Sequence, residues 1–156
     1  MDVDADSAKV TFPPPFIFLG FLLIGLAVDY VLPWTLGLSV MTRAALAVPL
    51  FAGGAMLVLA AHGLFVRAGT EVKPWKTASA IVDTGVYAYS RNPMYIGMSL
   101  IYAGLAVVFA SVGALLLLAI VIGIIRTQVI AREEAYLEGK FGDAYLAYKA
   151  RVRRWL

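Results

Sequence analysis

The chain has no cysteine, a single histidine and little charge. Without cysteine there is no disulfide, no thiolate nucleophile and no Cys-ligated metal. His62 alone cannot build a multi-histidine metal site within one chain. Charged residues make up 15% of the 156 positions and hydrophobic residues 62%, against roughly a quarter charged in soluble domains. That balance excludes an ordinary water-soluble domain and points to a membrane protein, with length for one domain only. There is no Walker loop and no strand–GxGxxG–helix unit, which removes the standard nucleotide folds. The net charge of +3 comes from basic residues that flank apolar segments. Anionic lipid headgroups, and not nucleic acid, are therefore the expected partner. The first residues are acidic (Asp2, Asp4, Asp6), with Lys9 alone basic. A secretory leader starts positive, so this segment is expected to be retained.

What is present is a series of apolar runs. Residues 16–32 follow the proline-rich lead-in 11–15 and are just long enough for a first span. Asp29 sits near the far end, where an aspartate ordinarily just reaches the interface. Arg43 and Arg67 bracket a second span, 44–66, about 35 Å long at about 1.5 Å per residue. Pro49 is placed to kink it, Gly53 and Gly54 to let a neighbouring helix come close. His62, near its end, reads as an ordinary hydrogen-bonded histidine. A third apolar block, 95–125, would be about 46 Å as one helix, too long for a core of about 30 Å. Charge resolves it. Of 13 Lys and Arg, four lie in the loop 67–92 and seven follow the block. The positive-inside rule puts both regions in the cytoplasm, so an even number of crossings separates them. The block is read as a hairpin turning at Ala110-Ser111-Val112-Gly113. The expected fold is all-α: spans 16–32, 44–66, 93–109 and 114–130, a cytoplasmic loop 67–92 and a cytoplasmic tail 131–156. Both termini are then cytoplasmic, as in a prokaryotic inner-membrane protein.

The hairpin's second arm has to take in Arg126, Thr127 and Gln128. Polar groups at that depth are expected to face protein, unless Arg126 snorkels to the headgroups. In the tail, Gly142 is suited to end a helix and Asp143 to cap the next. Tyr145 and Tyr148 share a side of that last helix, with Lys149, Arg151, Arg153 and Arg154 at the lipid surface.

The stretch around which these elements are arranged is Gly85-Val86-Tyr87-Ala88-Tyr89-Ser90-Arg91-Asn92-Pro93-Met94-Tyr95-Ile96-Gly97. Pro93 has the fixed φ of a first helical turn and Asn92 before it is a good N-cap, so a helix begins there. A helix start beside Arg91 is also a place for an anion. The plain alternative is a polar loop leading into a capped helix. The loop 67–92 is too long for an idle connection. Its Thr70-Glu71-Val72-Lys73-Pro74-Trp75 portion has the look of an interfacial segment.

The stretch resembles the G-x-Y-x-x-x-R-[HN]-P-x-Y-x-G signature of integral-membrane methyltransferases, the isoprenylcysteine carboxyl methyltransferase and phospholipid methyltransferase superfamily. Glu133-Glu134, Leu137, Phe141-Gly142, Tyr145, Tyr148 and Val152 resemble its second signature. The likeness covers residues 70–156. It implies S-adenosyl-L-methionine as methyl donor, with Tyr87, Arg91, Asn92, Pro93, Tyr95, Glu133 and Glu134 as cofactor-binding residues. Arg91, helix N–H groups and Arg126 suit the donor's carboxylate, a glutamate its ammonium or ribose, and tyrosine faces its sulfonium. Arg126, Arg151 and Tyr148 are the candidates for a part in transfer, with no metal. The acceptor implied is lipophilic: a phospholipid amine, a prenylcysteine-like carboxylate or a thiol. The prenylcysteine enzymes usually carry histidine where this chain has Asn92, which keeps hydrogen bonding and loses titration. Related sterol reductases bind NADPH at a similar C-terminal signature, and a non-enzymatic four-helix membrane protein is a third reading. Binding of the methyl donor against NADPH separates them.

Overall fold

The computed structural model describes residues 3–156, and no strand occurs among them. The order is α1 (Pro14–Val31), α2 (Val40–Arg67), a 3-10 turn (Gly85–Ala88), α3 (Pro93–Val108), α4 (Val112–Ile124), a π-helical turn (Ile125–Ile130), α5 (Ala131–Phe141) and α6 (Asp143–Arg151). The protein is thus all-helical. Three helices are long and apolar enough to cross a membrane: α1, α2 and the continuous rod from Val112 to Phe141, whose apolar part is 112–130. Apolar α3 is shorter, with 16 residues, about 24 Å at about 1.5 Å per residue.

Two helix pairs make the body: α2 on α3, and α1 on α4. Both are contacts of backbone on backbone. A Cβ on Gly97 would lie 2.7 Å from the Gly54 carbonyl oxygen, and one on Gly25 would lie 2.4 Å from Ala114 Cα. Within apolar surroundings, where hydrophobic exclusion does not drive helices together, such approach maximises dispersion contact. Of the glycine pair expected to serve this, Gly54 does so and Gly53 touches nothing. Helix α2 continues through Pro49. Residues 7–10 add Ser7, Ala8 and Val10 to the buried set.

The α3–α4 turn shows what Asp29 does. Ala110 takes a positive φ of 52°, and the Ser111 side chain caps α4 by accepting from Ala114 N at 2.9 Å. Asp29, at the end of α1, accepts from Gly113 N at 2.8 Å and from the Ser111 hydroxyl. It ties α1 to the turn, and does more than reach the interface. In the π-helical turn each N–H reaches five residues back, so the helix widens. Ile125, Val129 and Ile130 point in, and Arg126, Thr127 and Gln128 point out. The expectation that Arg126 and Gln128 face protein is corrected, and the outward alternative for Arg126 fits its exposure. The wider turn keeps the β-branched residues in the core and turns the polar ones away, with Thr127 Oγ1 bonded back to Gly123 O at 2.9 Å.

Candidate active site

Beyond the ends of α2 and α3, the loop 68–92, the start of α3 and the helices α5 and α6 enclose a cavity. Its water-accessible interior is about 120 Å³. The loop reaches it because Gly69 takes a positive φ and Thr70, buried, accepts from Ser79 N at 2.9 Å, which folds 70–79 into a closed turn. At the other end Gly142, at φ 52° and ψ −129°, breaks the rod and turns α6 back across the site. A side chain there would be strained.

Tyr87, Arg91, Asn92, Tyr95, Glu133, Glu134 and Tyr148 all line this cavity. The structure brings these sequence candidates together from both signatures. Pro93 does not reach it; it is buried as the first residue of α3. Arg126 and Arg151 do not line it either. Arg126 is exposed on the outer side of the rod. Arg151 lies at the rim, three residues past Tyr148, and pairs with Asp83 at 3.0 Å.

The polar residues divide into two sets. The first holds the tail to the loop. Arg91 gives Nη2 to Glu134 Oε1 at 2.7 Å and Nη1 to the carbonyls of Lys149 and Val152. Glu134 also takes Arg154 Nε at 3.1 Å and Arg154 Nη2. The carbonyl of Arg154 accepts from Asn92 Nδ2 at 2.9 Å and Ser90 Oγ at 3.3 Å, and Arg91 N donates to Arg153 O at 2.9 Å. So Asn92 is no side-chain N-cap; its amide hooks the end of the tail. Arg91, expected to offer its charge to an anion, spends both terminal nitrogens inside the protein, and its Nε is sealed in. Arg154, expected at the lipid surface, is instead an internal partner. Burial pushes the Glu134 carboxyl up, but hydrogen bonds from Arg154 and Arg91 outweigh it and hold the group below the usual range.

The second set faces the cavity. Tyr95 donates its hydroxyl to Glu133 Oε1 at 2.9 Å. Glu133 Oε2 and the hydroxyls of Tyr87 and Tyr145 make no hydrogen bond to any described residue, and none of them is sealed off. Tyr148 lines the wall with its ring and gives its hydroxyl to Tyr87 O at 2.9 Å. Glu133 is half-buried and lines the cavity. Burial, helped by the negative Glu134 beside it and opposed by the Tyr95 hydrogen bond, raises its carboxyl from 4.5 to about 7. Burial likewise raises the Tyr87, Tyr145 and Tyr148 hydroxyls, keeping them neutral donors. The division follows from helix geometry: neighbours on α5 differ by about 100° in direction, so anchoring Glu134 to the arginines aims Glu133 elsewhere. Tyr145 was legible as the partner of Tyr148 three residues on; their rings meet edge to face at 5.9 Å. Arg154 and Ser90 carried no sequence signal, because the bond between them spans 64 residues and the Arg154 guanidinium reaches Glu134 across 20.

The comparisons with known proteins fit this geometry. A family model described as phospholipid methyltransferase matches residues 42–144, which takes in α2, the loop, α3, α4 and α5. Protein-S-isoprenylcysteine O-methyltransferase of Schizosaccharomyces pombe is 36% identical over 72 residues, 46% of this chain and 30% of that protein. The chain therefore spans less than a third of that relative's length. An uncharacterized protein of Haemophilus influenzae is 46% identical over 63 residues, 40% of this chain and 100% of the relative. No solved structure matches. With well over half of its length matched, the chain belongs to the phospholipid methyltransferase family.

Proposed function

We propose that the chain is an integral-membrane methyltransferase that uses S-adenosyl-L-methionine to methylate a lipophilic acceptor at the cytoplasmic face of a prokaryotic inner membrane. The observation that carries this reading is the unpaired Glu133 Oε2 in a cavity walled by Tyr87, Tyr95, Tyr145 and Tyr148. An anionic oxygen among aromatic faces suits a ligand with a positive centre. The residues fit the donor on that ground. Glu133 takes its ammonium or ribose hydroxyls, the Tyr87 and Tyr145 hydroxyls offer further hydrogen bonds, and the tyrosine faces surround its charge. When bound, S-adenosyl-L-methionine supplies a methyl group activated by a sulfonium. Among the sequence candidates, Arg91, Asn92 and Glu134 line the cavity and brace it by holding the tail, and Pro93 supports the helix start from behind. Tyr148 positions the Tyr87 segment through its hydrogen bond.

Transfer of a methyl group to a nucleophile needs alignment and exclusion of water more than a strong acid or base. The buried tyrosines provide a dry wall, and the Arg91–Glu134–Arg154 cluster makes it rigid. Arg151 at the rim is placed to meet an acceptor's polar head, while Arg126 on the outer face is placed for lipid contact. The acceptor is a phospholipid amine, a prenylcysteine-like carboxylate or a thiol, and asparagine in place of histidine at position 92 weighs against the prenylcysteine carboxylate. Orientation rests on the Lys/Arg asymmetry, which gives four spans with both termini inside.

Calorimetry in detergent with S-adenosyl-L-methionine and with NADPH tests the donor. Binding of NADPH alone refutes the reading. Radiolabelled donor incubated with membrane lipid extract tests the acceptor. Label in the organic phase is expected, and label only in aqueous or volatile products refutes a lipid acceptor.

A further inference from the structure

Residues 3–10 lie outside the stretch that matches the family, yet they are tied to the loop and to α5 beside the cavity. Asp4 N donates to Trp75 O at 3.0 Å. The Asp4 carboxylate takes Lys76 Nζ at 3.0 Å, Thr77 N at 3.0 Å and Thr77 Oγ1 at 3.1 Å. Two residues on, the Asp6 carboxylate takes Lys140 Nζ from α5. The Asp6 carbonyl accepts from Thr77 Oγ1 at 2.9 Å and from the Tyr136 hydroxyl at 3.1 Å, and that hydroxyl accepts from Ala78 N at 3.1 Å. Ala8 follows and is itself part of the cavity wall, together with Lys76, Ala78 and Tyr136. The segment thus joins the loop to α5 across the opening between them. Lys9, at φ 51°, turns the chain out of this crossing in a backbone conformation that a lysine seldom takes.

The two edges of the cavity are held differently. At one edge the loop and tail are joined by Arg91 and Glu134, with side chains 8% and 6% exposed. At the other the ties are Asp4–Lys76, 31% and 27% exposed, and Asp6–Lys140, 59% and 23% exposed. Exposed pairs are weak and screened by salt, and buried ones are neither. The first edge is closed to solvent; at the second, residues 3–6 are held by partly exposed pairs and hydrogen bonds, while Ser7, Ala8 and Val10 behind them stay buried.

We propose that residues 3–6, hinged on the buried Ser7 and Ala8, are a latch over a polar mouth of the cavity, which the Asp4–Lys76 and Asp6–Lys140 pairs help to hold shut and whose lifting admits the water-soluble donor and releases its by-product. The passage of donor rests on the methyltransferase reading; the latch itself does not. It also confines the lipophilic acceptor to the bilayer side, because the polar side is covered.

The absence of cysteine makes a direct test possible. Ala80 lines the cavity, and an Ala80→Cys protein carries one thiol whose modification by a charged, membrane-impermeant maleimide reports opening. In that background Asp4→Asn with Asp6→Asn is expected to raise the labelling rate roughly five- to tenfold, two exposed pairs' worth. Raising salt from about 50 mM to about 500 mM is expected to speed labelling of the latch-intact protein more than that of the doubly substituted one. Asp6→Lys alone should label fast, and Asp6→Lys with Lys140→Asp should return toward the slow rate, which a misfolded protein would not do. Equal labelling rates across these proteins, or no recovery in the charge swap, overturn the latch. Saturating S-adenosyl-L-methionine should protect the thiol. Latch-dependent labelling without that protection leaves the latch standing and removes the donor reading.

Discussion

Replacing Glu134 with alanine tests the internal cluster most sharply. Glu134 and Arg91 are 6% and 8% exposed in their side chains, and Arg154 is 31% exposed. Glu134 is the one carboxylate that both arginines bond. Its removal strands the Arg91 guanidinium in a closed site, with two backbone carbonyls left as partners. Stranding one charge of a buried pair costs about 3–5 kcal/mol. Arg154→Ala leaves the Glu134–Arg91 pair in place and removes a group that is a third in solvent, so about 1 kcal/mol is expected after screening. Thermal and denaturant unfolding in one detergent should therefore rank Glu134→Ala far below Arg154→Ala, with wild type highest. Glu134→Gln, which keeps shape and one acceptor oxygen, should fall between Glu134→Ala and wild type. Donor affinity should fall with stability in this series, because the cluster braces the wall of the cavity. Equal stability of Glu134→Ala and Arg154→Ala would refute the account of the cluster. So would a Glu134→Ala protein that keeps wild-type stability and loses only donor binding.

Three further outcomes are expected. Glu133→Gln should show a pH-dependent stability gain: the folded carboxyl titrates at about 7, above its ordinary 4.5, so wild type loses stability as pH rises from about 4.5 through about 7, by about 3 kcal/mol in all. The melting-temperature gap between variant and wild type should therefore widen from about pH 5 to about pH 8, and a constant gap rejects the burial of Glu133. The same variant should bind donor at least roughly tenfold more weakly, the loss of one charged hydrogen bond, as calorimetry reads. Asp29→Ala removes both hydrogen bonds to the α3–α4 turn and should destabilise by about 1–3 kcal/mol with donor affinity unchanged, checked by unfolding and calorimetry together. Reporter fusions at Gly37 and Gly113 should read as external and one at Leu156 as cytoplasmic, and an external C-terminus defeats the four-span topology.

The sequence alone determined what depends on near neighbours. Pro93 starts α3 because its φ is set and its missing N–H has no partner to lose. Gly142 ends α5 because only glycine takes φ 52° with ψ −129° without strain. The turn after Val108 follows from an apolar block too long for one span with basic residues on both sides of it, and the two signatures named many of the residues that line the cavity. The tertiary structure decided what each of those residues touches. Arg91 and Asn92 read as ligand groups in a linear motif, and the fold turns them onto carbonyls 58 to 62 residues away. Glu133 and Glu134 are alike in sequence; the arginines on one side of α5 make one a structural anion and leave the other facing the cavity. Arg126 reads as a site residue until the π-helical turn rotates it outward. Asp4, Asp6 and Asp29 have partners 71 to 134 residues distant along the chain. Composition and periodicity report a residue's own preference for water or apolar surroundings, and such pairings are set instead by which helices pack together.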